Sequence, residues 1–568
     1  MNAAARRDVL RYAPALTAGV FLLPIAAGLI GTLLPAFGYL PAIGGHVLSL
    51  DPWRRLFEYP GFNTSLLTTL STGVLASVLA VVLALGFSAV VFDRRWVRSV
   101  GGWLAPILST PHSAFAIGLA FMLAPSGWIV RALSPWLTGW TTPPDVATIG
   151  HPSGLALVIG LLLKEVPYLI LMIVGALNQV PARQHLTIAR SLGYSRTEAW
   201  LKVILPQIYA QIRLPIYAVI AFSLSVVDVA IILGPSNPPT LGVMAVQWFS
   251  DPDIAFYFPA AAAATLLLAL VVIVVALWSY AERRATKPAL AWIARGGRNG
   301  IVSTMAGVAA AVVASLLVLA AMTIVGMGIW SFATQWRFPD ALPHAWSLAN
   351  WMRRLDALAY PAWLTLVVGA WATAIALVLV LACLENESRG SVRTGAGALW
   401  LLYVPLLVPQ VAFLFGAQVL LVRLHFDGTL AAVVWAHLIF VLPYLFLSLA
   451  DPWRAFDPRY ARTASSLGAS PARVFFGVKV PLLLRPVLIA AAIAFAVSVG
   501  QYLPTLFAGN GRVATLTTDA VTLAAGADRR VIGAYAILQA SLPLVAYALA
   551  ALLPALMYAN RRGMGGAR

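Results

Sequence analysis

Two stretches of this chain carry residue types suited to a rigid, gripped turn. Residues 189–206 read ARSLGYSRTEAWLKVILP and residues 464–481 read ASSLGASPARVFFGVKVP. Both run from an alanine through Ser-Leu-Gly to Val-x-[Leu/Val]-Pro, and Gly193 and Gly468 lie 275 positions apart, as do Pro206 and Pro481. The spacing predicts a short helix over 182–192, ended by Gly193, because glycine accepts the positive φ of a helix C-terminus. Ser195 and Ser470 then cap a second helix starting near 196 or 471. Pro206 and Pro481 mark the start of the next apolar segment. The chemistry of such an elbow is docking: one copy reads as a structured loop, whereas two copies at the same spacing point to a two-fold partner.

A second group is polar and lies inside apolar segments, where an ionisable side chain costs about 2.5–3.5 kcal/mol on insertion scales. Asp228 aligns with Gln501 through Phe222 and Phe495, and Tyr502, Asn237 and Asn510 lie further along the same two stretches. These residues are expected to line a solute path, the competing reading being that Asp228 satisfies a helix end or Ser225. His112 and Gln410 occupy matching places in PHSAFAIG (111–118) and PQVAFLFG (409–416). They are expected either to line the path or to bond across helices. Glu165 is expected to pair with Lys164, and His437 to be a satisfied packing residue.

The elements that position these groups are membrane spans. With 61% hydrophobic and 10% charged residues over 568 positions, and a mean hydropathy of +0.87, the chain falls outside the soluble class. Segments long enough to span occur near 14–36, 65–92, 101–124, 154–176, 208–234 and 257–280, then near 303–331, 362–384, 397–422, 428–450, 483–508 and 531–557. That predicts an all-α protein of twelve spans. Arginine and lysine concentrate in alternate loops: Arg6, Arg7 and Arg11; Arg94, Arg95 and Arg98; the two elbows; the linker 285–300; Arg389 and Arg393; Arg561, Arg562 and Arg568. The positive-inside rule makes that side cytoplasmic and puts both termini there. Arg54-Arg55, Arg353-Arg354 and Arg529-Arg530 are the exceptions. The formal charge of +18 is thus a topology signal, and nucleic acid is excluded as a partner. Tryptophans at the outer ends, Trp128, Trp136, Trp330 and Trp336 among them, are expected to be lipid anchors.

The halves repeat beyond the elbows. LSLDPWRRL (48–56) resembles WSLANWMRRL (346–355), VPYLI (166–170) resembles LPYLF (442–446), and SYAERR (279–284) resembles MYANRR (557–562). An even number of spans per copy keeps both copies parallel, about a pseudo-two-fold axis along the membrane normal. The repeats are assigned to 1–290 and 291–568, with elbows at 182–207 and 457–482.

The elbow pattern resembles the EAA loop of permease subunits of binding-protein-dependent ABC importers, which reads E-A-A-x-x-x-G, nine residues, then I-x-L-P. Ala189, Gly193, Leu205 and Pro206, and Ala464, Gly468, Val480 and Pro481, match that pattern. Thr187 and Arg462 stand where the family has glutamate. The chain resembles the fused double permeases of ferric-iron and thiamine importers. Residues 233–253 (LGPSNPPTLGVMAVQWFSDPD) are similar to an uncharacterised permease of a thiamine-like importer. The resemblance implies two ATP-binding subunits on the cytoplasmic side, an external solute-binding protein, surrounding lipid and a bacterial inner-membrane location. It also implies ATP used by the partners, with no cofactor or metal on this chain. The sequence contains no G-x-x-x-x-G-K-[ST] and no metal-ligand spacing. If Asp228 and Glu165 face the path, a small cation such as thiamine or a metal ion fits. The alternative is an ion-gradient-driven secondary transporter, which lacks the paired elbow.

Overall fold

The computed structural model describes residues 9–92, 104, 106–298, 300–390, 396–526 and 528–558. Arg6, Arg7, Arg94, Arg95, Arg98, Arg393, Arg561, Arg562 and Arg568, part of the charge pattern above, lie outside the described residues.

Among the described residues the chain is all-α apart from one small hairpin, Ala333–Gln335 against Ala345–Trp346. Among the described residues ten helices are long and apolar enough to cross a membrane, or twelve if each of two bent pairs is one span. The first half runs α1 (Ala13–Ala36), α2 (Asp51–Glu58), α3 (Phe62–Val91), α4 (His112–Leu123), α5 (Trp128–Leu133) and α6 (Leu155–Leu177). It continues with α7 (Ala182–Ser191), α8 (Arg196–Ala199), α9 (Leu205–Ser225), α10 (Asp228–Leu233), α11 (Leu241–Phe249) and α12 (Tyr257–Ala294). The second half opens with α13 (Ile301–Phe332), α14 (Leu355–Gly390), α15 (Ala396–Leu407), α16 (Gln410–Arg423) and α17 (Leu430–Arg454). It ends with α18 (Pro458–Ser466), α19 (Pro471–Val474), α20 (Leu484–Val499), α21 (Leu503–Gly509), α22 (Leu516–Ala524) and α23 (Arg529–Met557). From the helix before each elbow onward the same order of elements occurs twice, α6 to α12 and α17 to α23.

Four segments expected as continuous spans are interrupted. Within 101–124, α4 starts afresh after Pro111; within 397–422, α15 and α16 meet at 91° before Pro409. Proline supplies no N–H and pushes the preceding residue out of the helical region, so each of these helices begins at the proline. Within 208–234 the helix stops at Val226-Val227, two β-branched residues, and restarts at Asp228. Within 483–508 it stops at Gly500 and restarts at Leu503. Hydropathy cannot report these breaks, because the residues on both sides are equally apolar.

The opening helices of the two halves are exchanged. Helix α1 packs on α16 of the second half, and α13 packs on α3 and α4 of the first. Small residues make this possible. A Cβ on Gly31 would stand 2.9 Å from the Gly416 Cα, and Gly416 N donates to Thr32 Oγ1 at 3.1 Å. The mirrored contact seats Gly118 on Thr323, whose carbonyl oxygen would lie 2.8 Å from an added Cβ. Gly118 and Gly416 close the repeated P-x-x-A-F-x-x-G segment, so the motif serves helix crossing of the small-residue kind. Next to it, Phe415 of α16 stacks on Phe249 of α11 at 3.9 Å between centroids, again joining the halves.

Gly416→Leu is expected to force α1 off α16 and to lower the unfolding midpoint in detergent, at a cost of about 1–3 kcal/mol or more, since the neighbours are backbone. Gly307→Leu on α13, with nothing within 4 Å of its Cβ, should leave the midpoint unchanged. Equal midpoints for the two variants would show that this crossing does not hold the halves together.

Candidate coupling elbows and axial polar groups

Each elbow is built from backbone rules. Gly193 and Gly468 adopt φ of +86° and +83°. Gly193 N donates to Arg190 O and Tyr194 N to Ala189 O; Gly468 N donates to Ser465 O and Ala469 N to Ala464 O. Those paired bonds are a Schellman close, which consumes the last free carbonyls of α7 and α18. Ser195 and Ser470 then cap α8 and α19, accepting from Glu198 N at 3.2 Å and Arg473 N at 3.3 Å. One feature of the elbows was not foreseen from sequence. A five-residue π turn, Trp200–Ile204 and Phe475–Lys479, follows the second helix in each copy and delivers the chain to Leu205-Pro206 and Val480-Pro481.

Thr187 and Arg462 are exposed where the EAA loop carries glutamate. Glu198 does not substitute: it is 2% exposed and receives the Ser195 hydroxyl at 3.1 Å. The outward faces instead carry Ile188, Leu192, Leu467 and Phe476, all exposed.

Both elbows are pinned to the bundle. In the first, α8 touches α3 and α13, and Ala199 and Trp200 are fully buried. In the second, Lys479 Nζ pairs with Glu385 Oε2 at 2.7 Å and donates to Ser388 Oγ at 2.8 Å, while Glu385 also holds Arg389 at 2.8 Å. Lys479 and Glu385 are each about nine-tenths buried, so the pair ties the elbow to α14 in a place where an unpaired charge is strongly unfavourable.

The axial polar residues separate into two sets. Asp228 is the first residue of α10, its carboxylate near the backbone N–H groups of Asp228 and Val229. It lies within electrostatic reach of Tyr502 in the other half. Ser225 turns away, its hydroxyl donating to Ala221 O. Gln501 sits beside Tyr502 in the break before α21 and is half-buried. His112 opens α4 and packs on Phe222 at 4.8 Å between rings; Gln410 opens α16 and is also half-buried. Asn237 and Asn510, by contrast, are exposed in loops. Asn510 donates to Asp427 Oδ2 at 3.0 Å and accepts from Gln418 at 3.4 Å.

Lys164 departs from the expected pairing as its principal bond. Its Nζ donates to the carbonyls of Ile107, Leu108 and Thr110 at 2.8, 3.2 and 2.6 Å, the chain end left open before Pro111. Glu165 lies within electrostatic reach of Lys164, of Tyr168 on its own helix and of Tyr444 on α17. His437 uses both ring nitrogens, on Ser498 at 2.7 Å and Thr505 at 2.9 Å, across the break between α20 and α21. Among the described residues no three His, Cys, Asp or Glu side chains converge as metal ligands. Trp128, Trp330 and Trp336 are only partly lipid anchors. Trp128 Nε1 donates to Ala341 O at 3.0 Å, and Arg131 lies 5.8 and 5.0 Å from the Trp330 and Trp336 rings.

The chain was compared with known proteins on this basis. No protein-family model matches it. Over 518 residues, 91% of this chain and 93% of the relative, it is 34% identical to the inner membrane ABC transporter permease protein YnjC of Escherichia coli strain K12. The chain belongs to the ABC transporter permeases. Shorter stretches match the molybdenum transport system permease protein ModB of Mycobacterium tuberculosis, 35% identical over 25% of this chain and 57% of the relative. A further match is the putative 2-aminoethylphosphonate transport system permease protein PhnV of Salmonella typhimurium, 28% identical over 34% of this chain and 74% of the relative. The permease is therefore a multi-pass inner-membrane protein of an ABC importer. It transports and is not an enzyme, and its class works with ATP-binding and substrate-binding partner proteins.

Sequence reasoning missed three groups of this permease: the carbonyl-capping role of Lys164, the Lys479–Glu385 pair and the tyrosines beside Glu165. A lysine within a span was the visible signal for the first; its partners lie 54 to 57 residues away. Lys164→Met is expected to leave three carbonyls without that donor and to destabilise the permease by about 3 kcal/mol or more, read as loss of the monodisperse peak after mild heating. An unchanged peak would mean that water or lipid replaces the ammonium.

Proposed function

We propose that this one chain supplies both halves of the importer's membrane domain, repeats 1–290 and 291–568, and that each elbow receives one ATP-binding subunit on the cytoplasmic face. The carrying observation is the paired elbow: a left-handed glycine, a serine-capped second helix and a π turn, twice, each after the corresponding span. Two ATP-binding subunits need two sockets. A short pinned helix pair transmits their motion where a loose loop would absorb it. Ala189, Gly193, Leu205 and Pro206 form the first coupling loop, and Ala464, Gly468, Val480 and Pro481 the second. This chain binds no cofactor of its own; ATP is consumed by the partners. A solute-binding protein meets the opposite face, lipid surrounds the bundle, and both termini are cytoplasmic. The orientation gains support from three of the six exceptional outer arginines, which are locally matched: Arg54 pairs with Glu58 at 2.9 Å and Arg55 with Asp51 at 2.7 Å, and Arg530 pairs with Asp528.

Pull-down of the tagged chain from detergent should bring an ATP-binding subunit from the same cell, and Gly193→Pro with Gly468→Pro should lose it. A chain that brings no ATPase and transports alone down an ion gradient would instead be a secondary carrier.

The path runs along the pseudo-two-fold axis, past Asp228, Gln501, Tyr502, His112 and Gln410, with Asn237 and Asn510 at its outer mouth. Relatives are named for molybdenum, 2-aminoethylphosphonate and putrescine, so kinship leaves the solute open. A half-buried acid within electrostatic reach of a tyrosine of the other half favours a small cation such as thiamine or a metal ion. Asp228→Asn is then expected to cut uptake about tenfold or more, the loss of one charge-assisted contact, with ATPase docking intact. Unchanged uptake would reduce Asp228 to a structural residue at the start of α10.

A further inference from the structure

The two elbows differ at the positions that touch the rest of the chain. Tyr194 and Lys202 of the first correspond to Ala469 and Gly477 of the second. In the first elbow these two side chains hold the linker between the halves. Lys202 Nζ donates to Gly297 O at 2.6 Å and lies 4.6 Å from the Trp292 ring and 5.3 Å from the Tyr194 ring. A carbonyl and two π faces satisfy an ammonium that is 4% exposed. The Arg298 guanidinium sits over the Tyr194 ring at 5.4 Å, and its Nη1 lies 3.2 Å from where a Cβ on Gly193 would be. Ser195 and Ser303 meet through their hydroxyls at 3.1 Å.

Among the described residues no linker lies over the second elbow in this way. A Cβ on Gly468 would meet nothing within 4 Å, and Leu467 beside it is 83% exposed. Helix α12 explains how the linker reaches the first: its 38 residues extend about 57 Å, roughly twice the hydrocarbon thickness.

We propose that the first docking surface is made jointly by the elbow and Arg298 of the linker, a cation that the second elbow does not receive from the linker, so that two identical ATP-binding subunits are held unequally. This rests on the coupling reading above. Arg298 is exposed, and among the described residues nothing accepts a hydrogen bond from its guanidinium. Its unspent donors sit beside the Gly193 turn, where a carboxylate on the rim of the partner's cleft would take them. At the second elbow the position beside the glycine turn is held by Leu467 in place of a linker guanidinium, and the exposed Arg462 stands a helical turn and a half before Gly468.

The test titrates purified ATP-binding subunit onto the full-length permease in detergent and follows one-subunit and two-subunit complexes by native mass spectrometry. The wild type should show two binding steps of unequal affinity. Arg298→Ala, at an exposed position, should weaken one step about threefold to tenfold and leave the other unchanged. Leu467→Asp should weaken the other step. If Arg298→Ala moves neither step while Leu467→Asp weakens one, the shared surface is wrong and the coupling reading stands. If Arg298→Ala tightens a step, the linker obstructs the elbow and the shared surface is equally wrong. If neither variant moves any step, the coupling reading itself falls.

Discussion

A backbone N–H or C=O inside an apolar bundle has no water to turn to, so each break in a spanning helix must be closed by the protein itself. Among the described residues four expected spans are broken, and polar side chains close some of the breaks. Lys164 takes the three carbonyls left before Pro111. His437 ties Ser498 to Thr505 across the interruption at Gly500. Asp228 stands at the first residue of α10. Lys164 and His437 are therefore anchors of broken helices.

Because lipid is as apolar as leucine, the halves cannot be held together by burial alone, and close contact must do it. Gly28, Gly31 and Gly416 bring α1 onto α16, and Gly118 brings α4 under α13. The exchange of the opening helices makes each half incomplete without the other. It also means that rocking of one half carries a helix contributed by its partner, and the motion of the two cannot be independent. The elbows share this rigidity through different bonds, a carbonyl and aromatic cage for Lys202 and an ion pair for Lys479. Two copies that began from one pattern have diverged in how they are fastened.

Much of this was legible in the chain. The spans follow from apolar length. The elbow turns follow from Gly193 and Gly468, whose positive φ few other residues tolerate, and their restarts follow from Ser195 and Ser470, whose hydroxyls satisfy the first N–H groups. These are local rules, settled within a few residues of chain, and for that reason they were right in both copies. The π turns were not legible, since Trp200–Ile204 and Phe475–Lys479 share only a valine-lysine composition and no residue type that demands the wider turn.

Sequence by itself determined the membrane class, the parallel repeat and the two elbows, because hydropathy, turn chemistry and internal similarity are properties of contiguous residues. Tertiary structure alone decided which half receives each opening helix, that Lys164 serves carbonyls more than 50 residues away, that Lys479 meets Glu385 and that the linker lies on one elbow only. Each of these is a pairing between distant segments, fixed by which surfaces can approach closely and which buried charges find a partner. A glycine that admits a neighbouring helix and a glycine that merely turns the chain look alike in sequence, and only the packed bundle distinguishes Gly416 from Gly468.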